Sequence, residues 1–435
     1  MSDTAARSRA VARVFARPTA VRWRIFFLLL LLMAINYIDR ASISVAMPMI
    51  GKEFSIQPAL QGVLLSAFFW TYALMQIPGG MLADRFGPRV VIATSTVGWG
   101  LFQAIAAAAT GFFPLALARL GLGAAEAPLY PAGGKLNAIW MTRNERGRGA
   151  TLLDGGAPLG AALGALLITG LIAEFSSWRT AFVVAGVGTM AIGVWAWFYI
   201  RNHPLEHPGV NEGEAAYLAA EQADEEAASV PGSGKILEFL RFRSVWGMFF
   251  GWMCFNTMFY GLLTWLPTYL SKTHGLNIGK LGGALFIIFF AGFIGEMVGG
   301  YLGDRWKATG ADPNRVYRTL FAIGAIIATV SVFLVAYTAS APLVVALLST
   351  TLFFLRWCGM YWSIPAILAG RKLSGFLGGL MNLGGNIGGV LVPIVVGLIV
   401  QITGSYFLAL MFFAAAGTGL FISSMIIDYR HRLPV

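Results

Sequence analysis

The sequence predicts an all-α membrane protein of twelve transmembrane helices in two pseudo-symmetric six-helix bundles. Three observations carry this. Of 435 residues, 57% are hydrophobic and 12% charged, with a mean hydropathy of +0.71, whereas a soluble domain is about a quarter charged. Apolar runs near the ~20 residues needed to cross a bilayer occur over 25–50, 60–82, 89–109, 111–140, 149–171, 179–200, 244–270, 281–302, 316–338, 342–369, 373–402 and 404–427. Finally, Gly79-Gly80-Met81-Leu82-Ala83-Asp84-Arg85-Phe86-Gly87 after the second run is echoed by Gly299-Gly300-Tyr301-Leu302-Gly303-Asp304-Arg305-Trp306 after the eighth. A repeat at equivalent places means two halves related by an axis along the membrane normal.

The spans must be helical, because lipid offers the backbone no other hydrogen-bond partner. They order the chain as a cytoplasmic tail (1–24), a first bundle (25–200), a polar linker (201–243), a second bundle (244–427) and a short tail (428–435). The linker's acidic stretch, Glu212-Gly213-Glu214 through Asp224-Glu225-Glu226, reads as solvated and partly helical, and Pro231-Gly232-Ser233-Gly234 interrupts it. The net charge of +11 belongs to topology and not to nucleic acid. Arg85 and Arg89, Arg143, Arg146 and Arg148, Arg305, Lys307, Arg315 and Arg318, and Arg371 with Lys372 follow even-numbered spans, which puts both termini in the cytoplasm. The 32 Phe and 13 Trp suit apolar spans with interfacial belts. The basic amino terminus is not a secretory signal, since no small-residue cleavage site follows it.

Charges inside the apolar runs point to function, because an ion at that depth is costly without a partner or a wet cavity. Asp39 and Arg40 interrupt the first run within Ile35-Asn36-Tyr37-Ile38-Asp39-Arg40-Ala41-Ser42, and Arg119 with Glu126 interrupt the fourth. Adjacent helical residues point about 100° apart, so Asp39 and Arg40 are given separate roles. The planar fork of Arg40 suits a carboxylate. Glu126 is the leading proton carrier, since burial disfavours its charged form and a nearby cation favours it. Arg119, seven positions earlier on the same helix face, is alternatively its static partner.

At these residues the chain resembles the major facilitator superfamily, whose commonest signature is the Gly-x-Leu-x-Asp-Arg-x-Gly loop carried here by Gly80 to Gly87. Within it, the chain resembles the anion:cation symporter family of sugar-acid and organic-anion transporters. Asn36 to Arg40, Tyr72 to Gly80, Arg119 with Glu126, Trp140 through Gly147, Arg201-Asn202-His203-Pro204 with His207-Pro208, and Trp362-Ser363-Ile364-Pro365 carry that likeness. The resemblance implies the major facilitator fold, protonation at Asp39 and Glu126, a substrate carboxylate on Arg40, and a site completed by Tyr37, Tyr72 and polar residues of spans ten and eleven. The chain departs from the family at Asp154, where an amide or small polar residue is usual, and at Lys135. No Pro-Glu-Ser-Pro-Arg stretch follows span six, which argues against a neutral hexose.

The remaining intramembrane charges are read beside their structural alternatives. Asp39, Glu126, Asp154 and Glu296 balance Arg40, Arg119, Lys135 and Arg356, so an entering anion creates a deficit that a proton offsets. Lys135 and Asp154 either form a bridge or snorkel separately. Arg356 holds a second carboxylate or serves structure, and Glu296 belongs to a gate network. Asp84-Arg85 and Asp304-Arg305 are conformational latches or simple loop caps. Gln76, Asn382 and Asn386 are hydroxyl-binding candidates, although the glycines around the two asparagines suit close helix packing equally. Trp362, Ser363 and Tyr72 are pocket candidates or ordinary packing.

No enzyme or metal site emerges. Gly232-Ser233-Gly234-Lys235 lacks the phosphate-loop spacing, and there is no His-Glu-x-x-His and no nucleophile elbow. Cys254 and Cys358, both in apolar runs, have no metal-ligand neighbours in sequence. The expectation is a non-enzymatic, monomeric, proton-coupled symporter of the bacterial inner membrane, importing a small organic anion such as a hexonate or hexarate by alternating access. It needs no cofactor beyond the coupling proton and no nucleic-acid partner. Two rivals are a proton-driven antiporter exporting amphipathic compounds, suggested by Gly155-Gly156-Ala157-Pro158-Leu159-Gly160, and a transporter-like receptor that binds without flux.

Overall fold

The computed structural model describes residues 17–142, 145–219, 236–430 and 433. Most of the basic amino-terminal tail, Arg143, and the linker residues 220–235 with their acidic run and Pro-Gly break lie outside them. The long helices are α1 (Val21–Glu53), α2 (Pro58–Phe86), α3 (Pro88–Ala106), α4 (Phe112–Glu126), α5 (Leu129–Trp140), α6 (Arg146–Asp154), α7 (Gly156–Phe175), α8 (Trp178–Tyr199), α9 (Arg243–His274), α10 (Ile278–Ala308), α11 (Pro313–Val335), α12 (Ala341–Leu355), α13 (Ile364–Thr403) and α14 (Phe407–Ile426). Eleven segments among the described residues are long and apolar enough to cross a membrane; α4 joins α5, α6 joins α7, and α12 joins the 3-10 turn Arg356–Ser363 to make three of them. The 32-residue α9 is not among the eleven. Its Trp252, Asn256 and Tyr260, four residues apart, make a polar and aromatic stripe that lowers its hydropathy.

Starts and stops follow from local chemistry. Proline opens α2, α3, α11 and α12, where its missing N–H costs nothing and its φ is already helical. Gly87, at φ +82°, separates α2 from α3, a conformation that favours glycine. One expected boundary is corrected: the loop placed at Arg371-Lys372 is absent, and α13 runs unbroken for 40 residues from Ile364. A basic pair sets orientation but does not break a helix, whereas Pro365 fixes where a new one begins.

Packing is dense among α1–α8 and among α9–α14, and the two sets meet through α2 on α13, α7 on α10 and α1 on α9. Glycine lets the backbones approach. Gly156, Gly160 and Gly164 lay α7 against Met33, Ala34 and Ile38 of α1, the small-residue stripe of helix pairs in lipid. That packing role accounts for the glycines behind the antiporter rival. Gly62 faces Pro393 and Gly397 faces Pro58 between α2 and α13, while Gly282 faces Thr169 between α10 and α7. Ser66 Oγ donates to the Val390 carbonyl at 2.7 Å and the Ala59 amide to Gln401 Oε1 at 3.0 Å. The two sets are therefore clamped together at the end that carries the α1–α2 loop.

The linker is not simply solvated. Glu214 is fully buried and accepts from Thr19 Oγ1 (2.5 Å), the amides of Val21 and Arg22 (both 3.3 Å) and Arg22 Nη1 (2.8 Å). It caps α1, whose own N-cap residue, Ala20, has no side-chain acceptor. Arg22 also grips Glu145 at 3.0 Å, tying the segment between α5 and α6 to the same point. Partial burial pushes the Glu145 carboxyl up, but the bonds from Arg22 and Thr142 outweigh it and hold the group below its ordinary value. Its contribution is therefore present at neutral pH and lost as pH falls through that lowered value. Glu214→Ala is expected to cost about 1–3 kcal/mol, read as a lower melting temperature. The melting difference between wild type and Glu145→Gln should shrink on acidification; a difference that stays constant down to strongly acidic pH contradicts the tie.

Candidate functional site

Three of the intramembrane charges lie next to a helix break. Glu126 ends α4 two residues before Pro128, Asp154 ends α6 beside Gly155, and Arg356 begins the 3-10 turn that interrupts span ten. A break is tolerated at this depth only inside protein or along a cavity, and 3-10 turns within long helices mark functional bends.

Arg40 Nε donates to Glu126 Oε1 at 2.6 Å, and both residues are almost wholly buried. The expected alternative, an Arg119–Glu126 pair, is not formed. Seven helical residues place the two about 10 Å apart along the axis, so the carboxylate is reached from the neighbouring α1 instead. The Arg40 guanidinium lies over the rings of Tyr37, Phe68 and Tyr72, 4.4–4.8 Å from their centroids. Its Nη1 and Nη2, and Nε and Nη1 of Arg119, have no acceptor among the described residues. Arg40, Arg119, Ser44 and Thr264 line one small cavity. Asp39 points elsewhere, as adjacency on a helix requires: its Oδ2 accepts from Trp99 Nε1 (3.0 Å) and Thr189 Oγ1 (3.1 Å), inside the first set of helices.

The larger central cavity lies between the two sets. Tyr37, Tyr72, Tyr130 and Asp154 line it from one side, and Asn256, Tyr260, Arg356, Trp362, Asn382 and Asn386 from the other. Tyr37 and Tyr260 meet across it, hydroxyl to hydroxyl, at 3.5 Å. Its water-accessible volume is ≈ 40 Å³, room for about three waters and not for a six-carbon acid, so the walls must part to admit one. Arg356 pairs with Glu296 at 2.5 Å and faces Asp154 at 4.0 Å.

Several expected placements change. Lys135 does not pair with Asp154; its Nζ bonds Asp84 at 2.8 Å and the Ala83 carbonyl at 3.0 Å, neutralising the carboxyl end of α2. Asp304 pairs with Lys307 one turn on, and Arg305 donates to Tyr301, so in this structure those loop charges close within their own set of helices. Arg85 lies over the Phe86 ring. Glu296 belongs to the cavity wall's charge cluster and not to the loop network. Ser363 bonds Tyr317 and Met360 away from the cavity, and Gln76, whose Nε2 has no partner among the described residues, does not line it. Asn256, Trp252, Tyr260 and Tyr130 were missed. The four-residue spacing along α9 was a readable signal for three of them; Tyr130, one turn after Glu126, had none.

Comparison with known proteins places this architecture. The Major Facilitator Superfamily profile matches residues 29–393. The chain belongs to the Major Facilitator Superfamily. It is a transporter and not an enzyme. It is 31% identical over 427 residues to a probable galactarate/D-glucarate transporter of Bacillus subtilis (strain 168), covering 94% of this chain and 92% of that one. It is 32% identical to a probable sulfoacetate transporter of Cupriavidus necator, covering 95% and 98%, and 30% identical to a D-galactonate transporter of Escherichia coli O6:H1, covering 89% and 91%. Its fold resembles the inward-facing, occupied crystal structure of a bacterial homologue of the human lysosomal transporter Spinster, with a TM-score of 0.70 at 18% identity over 94% of this chain and 95% of that one.

Breaking the Arg40–Glu126 pair leaves an uncompensated buried charge. Arg40→Met is expected to cost about 3–5 kcal/mol, and the double variant Arg40→Met/Glu126→Gln to recover most of that. Chemical or thermal unfolding of the three proteins in detergent checks it; a double variant as unstable as the single shows that the two residues do not interact.

Proposed function

We propose that the protein is a proton-coupled symporter that imports a small organic anion, such as a hexonate or hexarate, by alternating access. It works as a monomer in a bacterial inner membrane with both termini cytoplasmic, and α9 is the twelfth crossing of a two-bundle transporter. The reading extends to this chain the sugar acids and sulfoacetate named for its relatives. One observation carries it: a buried guanidinium, Arg40, neutralised by one acid, Glu126, yet with two outer nitrogens free of protein acceptors among the described residues.

That arrangement couples two ions by charge alone. With Asp39 and Glu126 ionised the four buried groups Asp39, Arg40, Arg119 and Glu126 are together neutral, and an added carboxylate would leave one negative charge in a low-dielectric site. A proton on Glu126 releases Arg40 to bind the anion at no net charge, so each ion favours entry of the other. Asp39, hydrogen-bonded inside the first set of helices, is a second proton site whose route to water is separate from the cavity. Tyr37 and Tyr72 steady Arg40, while Asn382, Asn386 and Asn256 present amides to substrate hydroxyls. Alternation follows from the clamp at the α1–α2-loop end: opening it and closing the opposite end moves the site's access across the membrane.

Reconstitution in liposomes tests this. An inward proton gradient should drive accumulation of labelled D-galactonate or D-glucarate, and a protonophore should abolish it. An antiporter would expel cargo under the same gradient, and a receptor would bind without accumulating. Arg40→Lys, which loses the planar fork, should weaken binding about 10- to 100-fold. Glu126→Gln should retain exchange while losing uphill uptake; full gradient-driven accumulation by that variant would refute the coupling scheme.

A further inference from the structure

A second charge cluster bridges the two sets of helices at the cavity wall. Arg356, from span ten, sits over the rings of Phe255 and Phe259 and is almost fully buried. It binds Glu296 of α10 tightly and faces Asp154, the last residue of α6, at a longer 4.0 Å. Tyr130 of α5 donates to the other Asp154 oxygen at 3.1 Å. Asp154 and Glu296 face the same nitrogen of Arg356, Nη2. Tyr37 of α1, Tyr72 of α2 and Tyr260 of α9 are the remaining titratable groups on the cavity wall. One guanidinium thus serves two carboxylates, leaving one excess negative charge beside a site proposed to take an anion. Of the two acids Asp154 is the more exposed and the less firmly held, and it borders the cavity, whereas Glu296 does not.

We propose that Arg356 is the site of a diacid's second carboxylate, guarded by Asp154: that carboxylate takes Asp154's place at the guanidinium, and the Asp154–Glu296 pair takes up one proton as it does. This rests on the anion-symporter reading and adds a proton site distinct from Glu126. The exchange balances. The Arg356–Asp154 contact is lost, an Arg356–substrate contact is gained, and the added negative charge is offset by a proton from solution, held between two carboxylates that no longer both stay ionised once Asp154 has lost its cation. Because Asp154 and Arg356 belong to different sets of helices, the exchange also removes a tie across the cavity as substrate enters.

Binding linkage measures this without transport. Calorimetric titration of the purified full-length protein with D-glucarate and with D-galactonate, between pH 5.5 and 7.5, gives a slope of log Kd against pH equal to the protons taken up on binding. The acids themselves stay ionised throughout, since their carboxyls titrate near ~3.5, and contribute nothing. With D-glucarate affinity should weaken as pH rises, and in Asp154→Asn the slope should fall by about one proton relative to wild type; D-galactonate, whose single carboxylate Arg40 takes, should show no such fall. Glu296→Gln should lower the D-glucarate slope by the same amount, because the pair holds the proton jointly, so either variant suffices if the other fails to fold. Arg356→Gln should weaken D-glucarate binding about 10- to 100-fold. Wild-type slopes in both Asp154→Asn and Glu296→Gln, with a reduced slope in Glu126→Gln, overturn this inference and leave the parent reading standing. Wild-type protein that binds neither anion removes both.

Discussion

The structure depends on one constraint: charge held where the dielectric is low must be neutralised locally. The 2.6 Å contact between Arg40 and Glu126 meets it by joining α1 to α4, and the rings of Tyr37, Phe68 and Tyr72 add the stabilisation that aromatic faces offer a cation. Neutrality is reached with donors to spare. An arrangement meant only for stability would commit every guanidinium N–H to an acceptor or replace the pair by apolar side chains, which is often at least as stable. A pair that is balanced yet incompletely bonded can exchange partners.

The same rule explains where the helices break. Pro128, Gly155 and the 3-10 turn at Arg356 interrupt spans four, five and ten beside Glu126, Asp154 and Arg356. An interrupted helix points side chains at angles a continuous one does not allow, and its freed backbone groups need the wet or protein-lined surroundings that the charges need too. Span four carries an acid before its break and span ten a base after it. At the larger cavity Asp154 of the first set of helices faces Arg356 of the second, so the two sets offer opposite charges to it.

Regions far from the cavity support it. Glu214 reaches from the linker to cap α1, the helix that holds Asp39 and Arg40, so a segment whose composition suggests a tether sets the seating of the central helix. Trp140 Nε1 donates to the Arg201 carbonyl, and Asn202 Oδ1 accepts from the Arg89 amide. Through these contacts Arg201 and Asn202, which carried part of the family likeness, fasten the end of α8 to α3 and α5.

Much of this is legible along the chain. Hydropathy marks the long apolar helices, because solvent preference is a property of each stretch by itself. The rarity of ions in apolar runs singles out Arg40, Glu126, Asp154 and Arg356 for the same reason. Pairing was not legible. Lys135 bonds Asp84 and not Asp154, Arg40 takes the acid that Arg119 shares a helix with, and Asp39 turns to Trp99 and Thr189, since which charge meets which depends on the angles at which helices pack and on a few ångströms of reach. The sequence by itself determined that charges would be buried in this membrane protein. Only the tertiary structure decided their partners, because neutralisation acts through space and not along the chain.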